Sequence, residues 1–234
     1  MIMGPSASII MRYRTQKDWI LDQDAINQCV SLAYTKINSN NFKTTSGLAH
    51  GFAHMLWFFA SIAQRQTSRE IEELILEIDS IIRNKYTNDD GFIQIYCGGI
   101  NKVSSSWCNG LSGLLIAYYE AYKANCLPQE SVINLINQLK LIPLSCIPII
   151  CHGSLGIVEA LQYVGQSFPN QTSEILSKLD TNFCSPEYIF NYFKNGKGRY
   201  PLSPGLMAGK AGALLHLCRS LDPTIKASPL TLGN

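Results

Sequence analysis

The chain has 234 residues, 46% of them hydrophobic and 15% charged, enough for one domain with a buried core and too apolar for a disordered chain. A formal net charge of +2, with no Lys or Arg run interleaved with aromatics, falls far short of what a phosphate backbone demands, so nucleic acid is not an expected partner. Eight scattered cysteines without a secretory signal do not read as a disulfide framework, and no apolar stretch reaches the ~18 residues of a spanning helix; the expected setting is a reducing cytoplasm, with no transmembrane segment.

In chain order, an amphipathic helix is predicted over 17–37, followed by an apolar run entered through H-G-F-A-H-M-L-W-F-F-A from His50. A second amphipathic helix over 68–85 places Ile71, Leu74, Ile75, Ile78, Ile81 and Ile82 at helical spacing and Glu70, Glu72, Glu73 and Glu77 elsewhere. The turn Asn88-Asp89-Asp90-Gly91 leads toward a second apolar run, N-G-L-S-G-L-L-I-A-Y-Y from Asn109. Amphipathic helices over 128–140 and 172–180 flank a third, H-G-S-L-G-I-V-E-A-L-Q from His152. Further turns at 195–198 and 203–205 precede the fourth, A-G-K-A-G-A-L-L-H-L-C from Ala208.

The four apolar runs share one entry pattern. A first Gly stands at 51, 110, 153 and 209, and a second three residues later at 113, 156 and 212, with His54 in its place in the first copy. Runs apolar on all sides read as buried inner helices, and the amphipathic stretches as outer helices with one wet face. Alternation of the two describes stacked helical hairpins, an all-α toroid or solenoid of about four hairpins within a single domain over 1–234.

The residue before each first Gly occupies one structural place, the mouth of an inner helix. His50, Asn109, His152 and Ala208 stand there, with Cys108 and Cys151 just before two of them. Two sulfurs and one imidazole, from Cys108, Cys151 and His152, form a donor set suited to zinc with a fourth position open. Two other readings stand beside this one: a cysteine next to an apolar helix also serves as a small buried hydrophobe, and Cys97 in I-Y-C-G-G is an alternative ligand. His54 and His216, inside apolar runs, read as core histidines.

S-G-L-A-H-G at 46–51, S-W-C-N-G-L-S-G at 106–113, C-H-G-S-L-G at 151–156 and P-G-L-M-A-G-K-A-G at 204–212 resemble, in order and approximate spacing, the glycine, cysteine and histidine blocks of the lanthionine synthetase C-like cyclases. The closing L-D-P-T-I-K-A-S-P-L-T-L at 221–232 is similar to the end of the cyclase domain in class II lanthipeptide synthetases. The resemblance implies an α/α toroid with zinc on Cys108, Cys151 and His152. It implies addition of a peptide cysteine thiolate to dehydroalanine or dehydrobutyrine of a dehydrated precursor peptide, closing a thioether ring. It makes His50 the acid that protonates the resulting enolate and leaves Asn109, where the family often has Tyr or His, an amide hydrogen bond to offer.

Two departures qualify it. Family toroids have about seven hairpins, and an arginine often found four residues before the zinc cysteine is Ser104 here. The expectation is therefore the C-terminal part of a cyclase domain with its zinc triad intact, completed by a missing part of a synthetase or by a second chain. The alternative is a catalytically impaired zinc-binding helical module that binds a peptide or partner.

Overall fold

The computed structural model describes residues 22–39, 45–49, 51–66, 68–96, 102–196, 199–222 and 224–225. His50 and Cys97 lie outside these residues, as do 17–21 of the first predicted helix. Regular structure among them is helical, with isolated β-bridges such as Thr45 with Gly51.

The helices are α1 (Gln23–Asn38), α2 (Phe52–Ala63), α3 (Arg69–Tyr86), α4 (Leu111–Lys123), α5 (Gln129–Leu141), α6 (Ser154–Gly165), α7 (Pro169–Asn182), α8 (Pro186–Asn195), the short α9 (Arg199–Leu202) and α10 (Lys210–Leu221). The four predicted inner helices are α2, α4, α6 and α10. Helix α2 packs on α4 and α4 on α6, while α3, α5 and α7 back them from outside. This is the expected all-α arrangement of inner and outer hairpins.

Composition decides the layers. All twelve residues of α2 are buried, whereas α3 buries only its Ile, Leu and Tyr86 face. Burial of that stripe removes apolar surface from water at about 25 cal/mol per Å², which holds the outer layer to the inner one. Ser68 caps α3 by accepting from the Ile71 amide, and Glu70 and Glu72 favour its positive end. Two details differ from expectation. The helix predicted over 172–180 begins at Pro169, because a proline fits the first turn, where no amide donor is required. Helix α8 was not predicted at all, although Ser185 caps it and Pro186 starts it.

The repeated glycines have one physical cause. A Cβ on Gly51, Gly110, Gly153 or Gly209 would lie 2.0–2.2 Å from the carbonyl oxygen six residues earlier, on Thr45, Ser104, Ile147 and Ser203. Gly113, Gly156 and Gly212 are blocked in the same way, at 2.0–2.1 Å, by the carbonyls of Trp107, Ile150 and Leu206. The preceding loop thus lies directly against the first turn of each inner helix, where only glycine leaves room. In return, the first helical amide finds its acceptor in the backbone. Phe52, Leu111, Ser154 and Lys210 donate to the carbonyls of Thr45, Ser104, Ile147 and Ser203 at 2.8–3.0 Å, and none of these helices has a side-chain cap.

Candidate metal centre

A second backbone device joins the repeats. The Ala49 amide donates to the Cys108 carbonyl at 2.9 Å, Cys108 to Cys151 at 3.3 Å, and Cys151 to Met207 at 2.7 Å. Each of these residues stands two positions before its first Gly, so the belt runs through the four mouths in register. Cys108 and Cys151 are consecutive members, and His152 follows directly.

That register brings the donor atoms of Cys108, Cys151 and His152 within 4.8 Å of one another. Cys108 Sγ lies 3.6 Å from His152 Nε2, close to the ~3.5 Å separation that a tetrahedral site imposes on a sulfur and a nitrogen at their usual zinc distances. Cys108 is buried, Cys151 partly buried and His152 exposed, so the cluster is anchored at its base and open at its rim. Two soft sulfurs, one imidazole and an open face fit a zinc ion with a free coordination position. It is the candidate cluster of three or more such groups found among the described residues.

The electrostatics set Cys108 apart from the other thiols. A hydrogen bond from the Cys151 thiol, followed by the charge of His152, the Ser106 hydroxyl and the Asn109 amide, holds the Cys108 thiol down to about 6 against the opposing effect of burial. The same contact, with burial, pushes Cys151 up, so the pair shares a proton before any metal displaces it. Burial instead raises Cys184, to about 11, and also Cys29 and Cys126, which marks these as packing residues. Cys146 is exposed and Cys218 half-buried, so neither is a core residue in the full sense. His54 and His216 are buried, as expected of core histidines, and desolvation lowers the His216 imidazole.

Asn109 sits at the mouth of α4, half-buried. Its Oδ1 accepts from Thr45 Oγ1 at 3.4 Å and faces Gly47 of the neighbouring repeat, while its backbone N–H points toward the Cys108 sulfur. Two hydroxyls lie beside the cluster: Ser104, which the sequence marks only as standing where the family often has arginine, and Ser106, which sequence reasoning missed. Ser106 Oγ lies 3.9 Å from Cys108 Sγ and 3.0 Å from Ser104 Oγ. Their signal was the spacing 104, 106, 108 in a non-helical segment, where alternate residues share a side.

A family model described as lanthionine synthetase C-like protein matches residues 1–232. No curated protein matches the chain. Among solved structures, nisin cyclase is similar with a TM-score of 0.62 at 15% identity, over 77% of this chain and 47% of that one. The likeness is one of fold, and this chain spans about half the length of that cyclase.

Proposed function

The chain belongs to the lanthionine synthetase C-like family, and from that membership we propose that it is a zinc-dependent cyclase domain acting on a dehydrated precursor peptide. Cys108, Cys151 and His152 would hold the ion. The observation that carries this reading is the convergence of Cys108 and Cys151, at equivalent places of adjacent repeats registered by the backbone belt, with His152 next to Cys151. When bound, zinc supplies a Lewis acid that keeps a peptide thiol as thiolate near neutral pH.

The ring closes when the sulfur forms a bond to the β-carbon of dehydroalanine or dehydrobutyrine, the alkene electrons move onto the adjacent carbonyl, and the α-carbon takes a proton. His50 holds the place before the first Gly in its repeat, equivalent to that of His152 in the next but one, and is the candidate donor of that proton. Asn109 would contribute an amide contact to the substrate at the same mouth. The rigid, glycine-locked mouths orient the site, since the loops that carry the ligands cannot shift relative to the helices behind them.

The alternative, a zinc-binding helical module without turnover, is favoured by one feature of the structure. Helix α10 buries only Gly212, Ala213 and His216, in contrast to the fully buried α2. Phe190 and Leu214 are each 61% exposed beside an open apolar groove of about 600 Å³ between α8 and α10. A missing part of the synthetase, or a second chain, would cover this face. All seven described cysteines are free, which suits a cytoplasmic location, and among the described residues no helix is long and apolar enough to cross a membrane.

Elemental analysis of the purified chain beside Cys108→Ala and Cys151→Ala tests the centre. One zinc per wild-type chain, lost in both variants, is expected; a metal-free soluble wild type would overturn it. Cyclisation does not change peptide mass, so turnover is then read as loss of alkylatable thiols on a dehydrated peptide. Retained turnover in His50→Ala would remove that residue from its proposed role.

A further inference from the structure

The two hydroxyls beside the cluster are linked to each other and to a ligand sulfur. The Ser106 amide donates to Ser104 Oγ at 3.2 Å, occupying a lone pair of that hydroxyl. Ser104 then donates its own proton to Ser106 Oγ at 3.0 Å. Cys108 Sγ, as a thiol, donates to Ser106 Oγ at 3.9 Å; a metal-bound Cys108 thiolate has no proton to give, which leaves the Ser106 proton as the one that can lie between them.

The segment carrying this relay is fixed from several sides. Leu111 donates its amide to the Ser104 carbonyl at 2.8 Å, and Ser112 Oγ donates to the Ser105 carbonyl at 2.6 Å. A Cβ on Gly110 would strike the carbonyls of both Ser104 and Ser106, at 2.2 and 2.7 Å. Ser106 itself is buried at 7% exposure, so water does not compete freely for its hydroxyl. An oriented donor in such a place acts on a metal-bound sulfur without touching substrate.

We propose that Ser106 is a positioning residue of the metal centre: oriented by Ser104, its hydroxyl donates to the Cys108 sulfur and tunes how strongly that sulfur donates to the metal. The inference rests on the zinc reading above and goes beyond it, because it assigns the adjacent hydroxyl pair a function of its own. Ser104, standing where the family often has arginine, becomes the orienting member of the relay.

The test uses the full chain loaded with Co²⁺ as a spectroscopic substitute for zinc. Removing a hydrogen bond from a coordinated thiolate raises its donor orbitals, so Ser106→Ala should move the sulfur-to-cobalt absorption band to lower energy. It should also weaken Zn²⁺ binding in chelator competition by about tenfold, at the low end for residues that hold a metal ligand. Ser104→Ala should shift the band in the same direction by less, and Ser106→Thr, which keeps the hydroxyl, should restore it. Metal-loaded Ser106→Ala with the wild-type band and affinity would overturn the proposal while leaving the zinc reading intact. A wild-type chain that takes up neither ion would overturn both.

Discussion

The two ends of the inner helices are built differently. At the mouths, backbone meets backbone: the same glycine contacts, the same amide-to-carbonyl bonds and a continuous belt recur in every repeat. Toward the opposite ends, side chains tie the helices together, and each tie is different. Gln64 Nε2 after α2 donates to the buried Glu120 of α4 at 2.6 Å, Tyr163 of α6 donates to the same carboxylate, and Glu159 of α6 pairs with Arg219 of α10. Lys123 sits 3.1 Å from Glu120 and over the rings of Tyr119 and Tyr163. Where donor atoms from two repeats must meet within a few ångströms, the register is set by backbone, which varies little. Where only cohesion is required, any well-paired polar group serves.

Substitution should cost most at the mouths. Gly153→Ala brings a Cβ to 2.0 Å from the Ile147 carbonyl, and backbone cannot turn aside as a flexible side chain would. The expected loss exceeds about 4 kcal/mol, seen in urea denaturation or as failure to accumulate soluble chain. Gly91→Ala is the control. It lies at φ +83° in a turn with open space around it, and should cost only about 1 kcal/mol of backbone strain.

At the far end the effects should be smaller and should spare the metal. Arg219→Met takes the Arg219 cation away from the Glu159 carboxylate, 3% exposed, and breaking a buried pair costs about 3 kcal/mol. Tyr163→Phe removes one donor from Glu120 but leaves Gln64 and Lys123 in place, for about 1–2 kcal/mol in the same denaturation assay. Zinc stoichiometry should stay at that of the wild type in both. A far-end variant that stays folded yet loses zinc would show that the two ends are coupled and that the division drawn between them is wrong.

The same contrast explains what could be read from sequence. The mouths were legible because a carbonyl placed against a Cβ position leaves a mark that substitution cannot erase, namely Gly at 51, 110, 153 and 209. Cys108, Cys151 and His152 then fell into register by position alone. The far end left no such mark. Glu120 and Glu159 sit inside apolar runs, and nothing in the string shows that their partners are Tyr163 and Arg219, 43 and 60 residues away. Helix α8 carries a start signal in Ser185 and Pro186 and apolar residues Tyr188, Ile189, Tyr192 and Phe193 at helical spacing, but its ten residues give too short a pattern to stand out between two turns. The Ser104 and Ser106 hydroxyls could be placed near Cys108 by spacing, but that they bond to each other and to the Cys108 sulfur could not.

Asn109 offers the finest test, because it lies between the two kinds of construction. Its backbone belongs to the mouth, donating toward the Cys108 sulfur, and no side-chain substitution removes that amide. Its side chain makes one long contact, 3.4 Å, to Thr45 Oγ1, in a half-buried position where water can replace the lost partner. Asn109→Ala should therefore keep one zinc per chain and alter stability by no more than about 1 kcal/mol. If the side-chain carboxamide meets substrate, thiol consumption on a dehydrated peptide should fall while metal content does not. If zinc content drops with it, the Asn109 side chain shapes the ligand loop itself, and the register of the mouths depends on more than backbone.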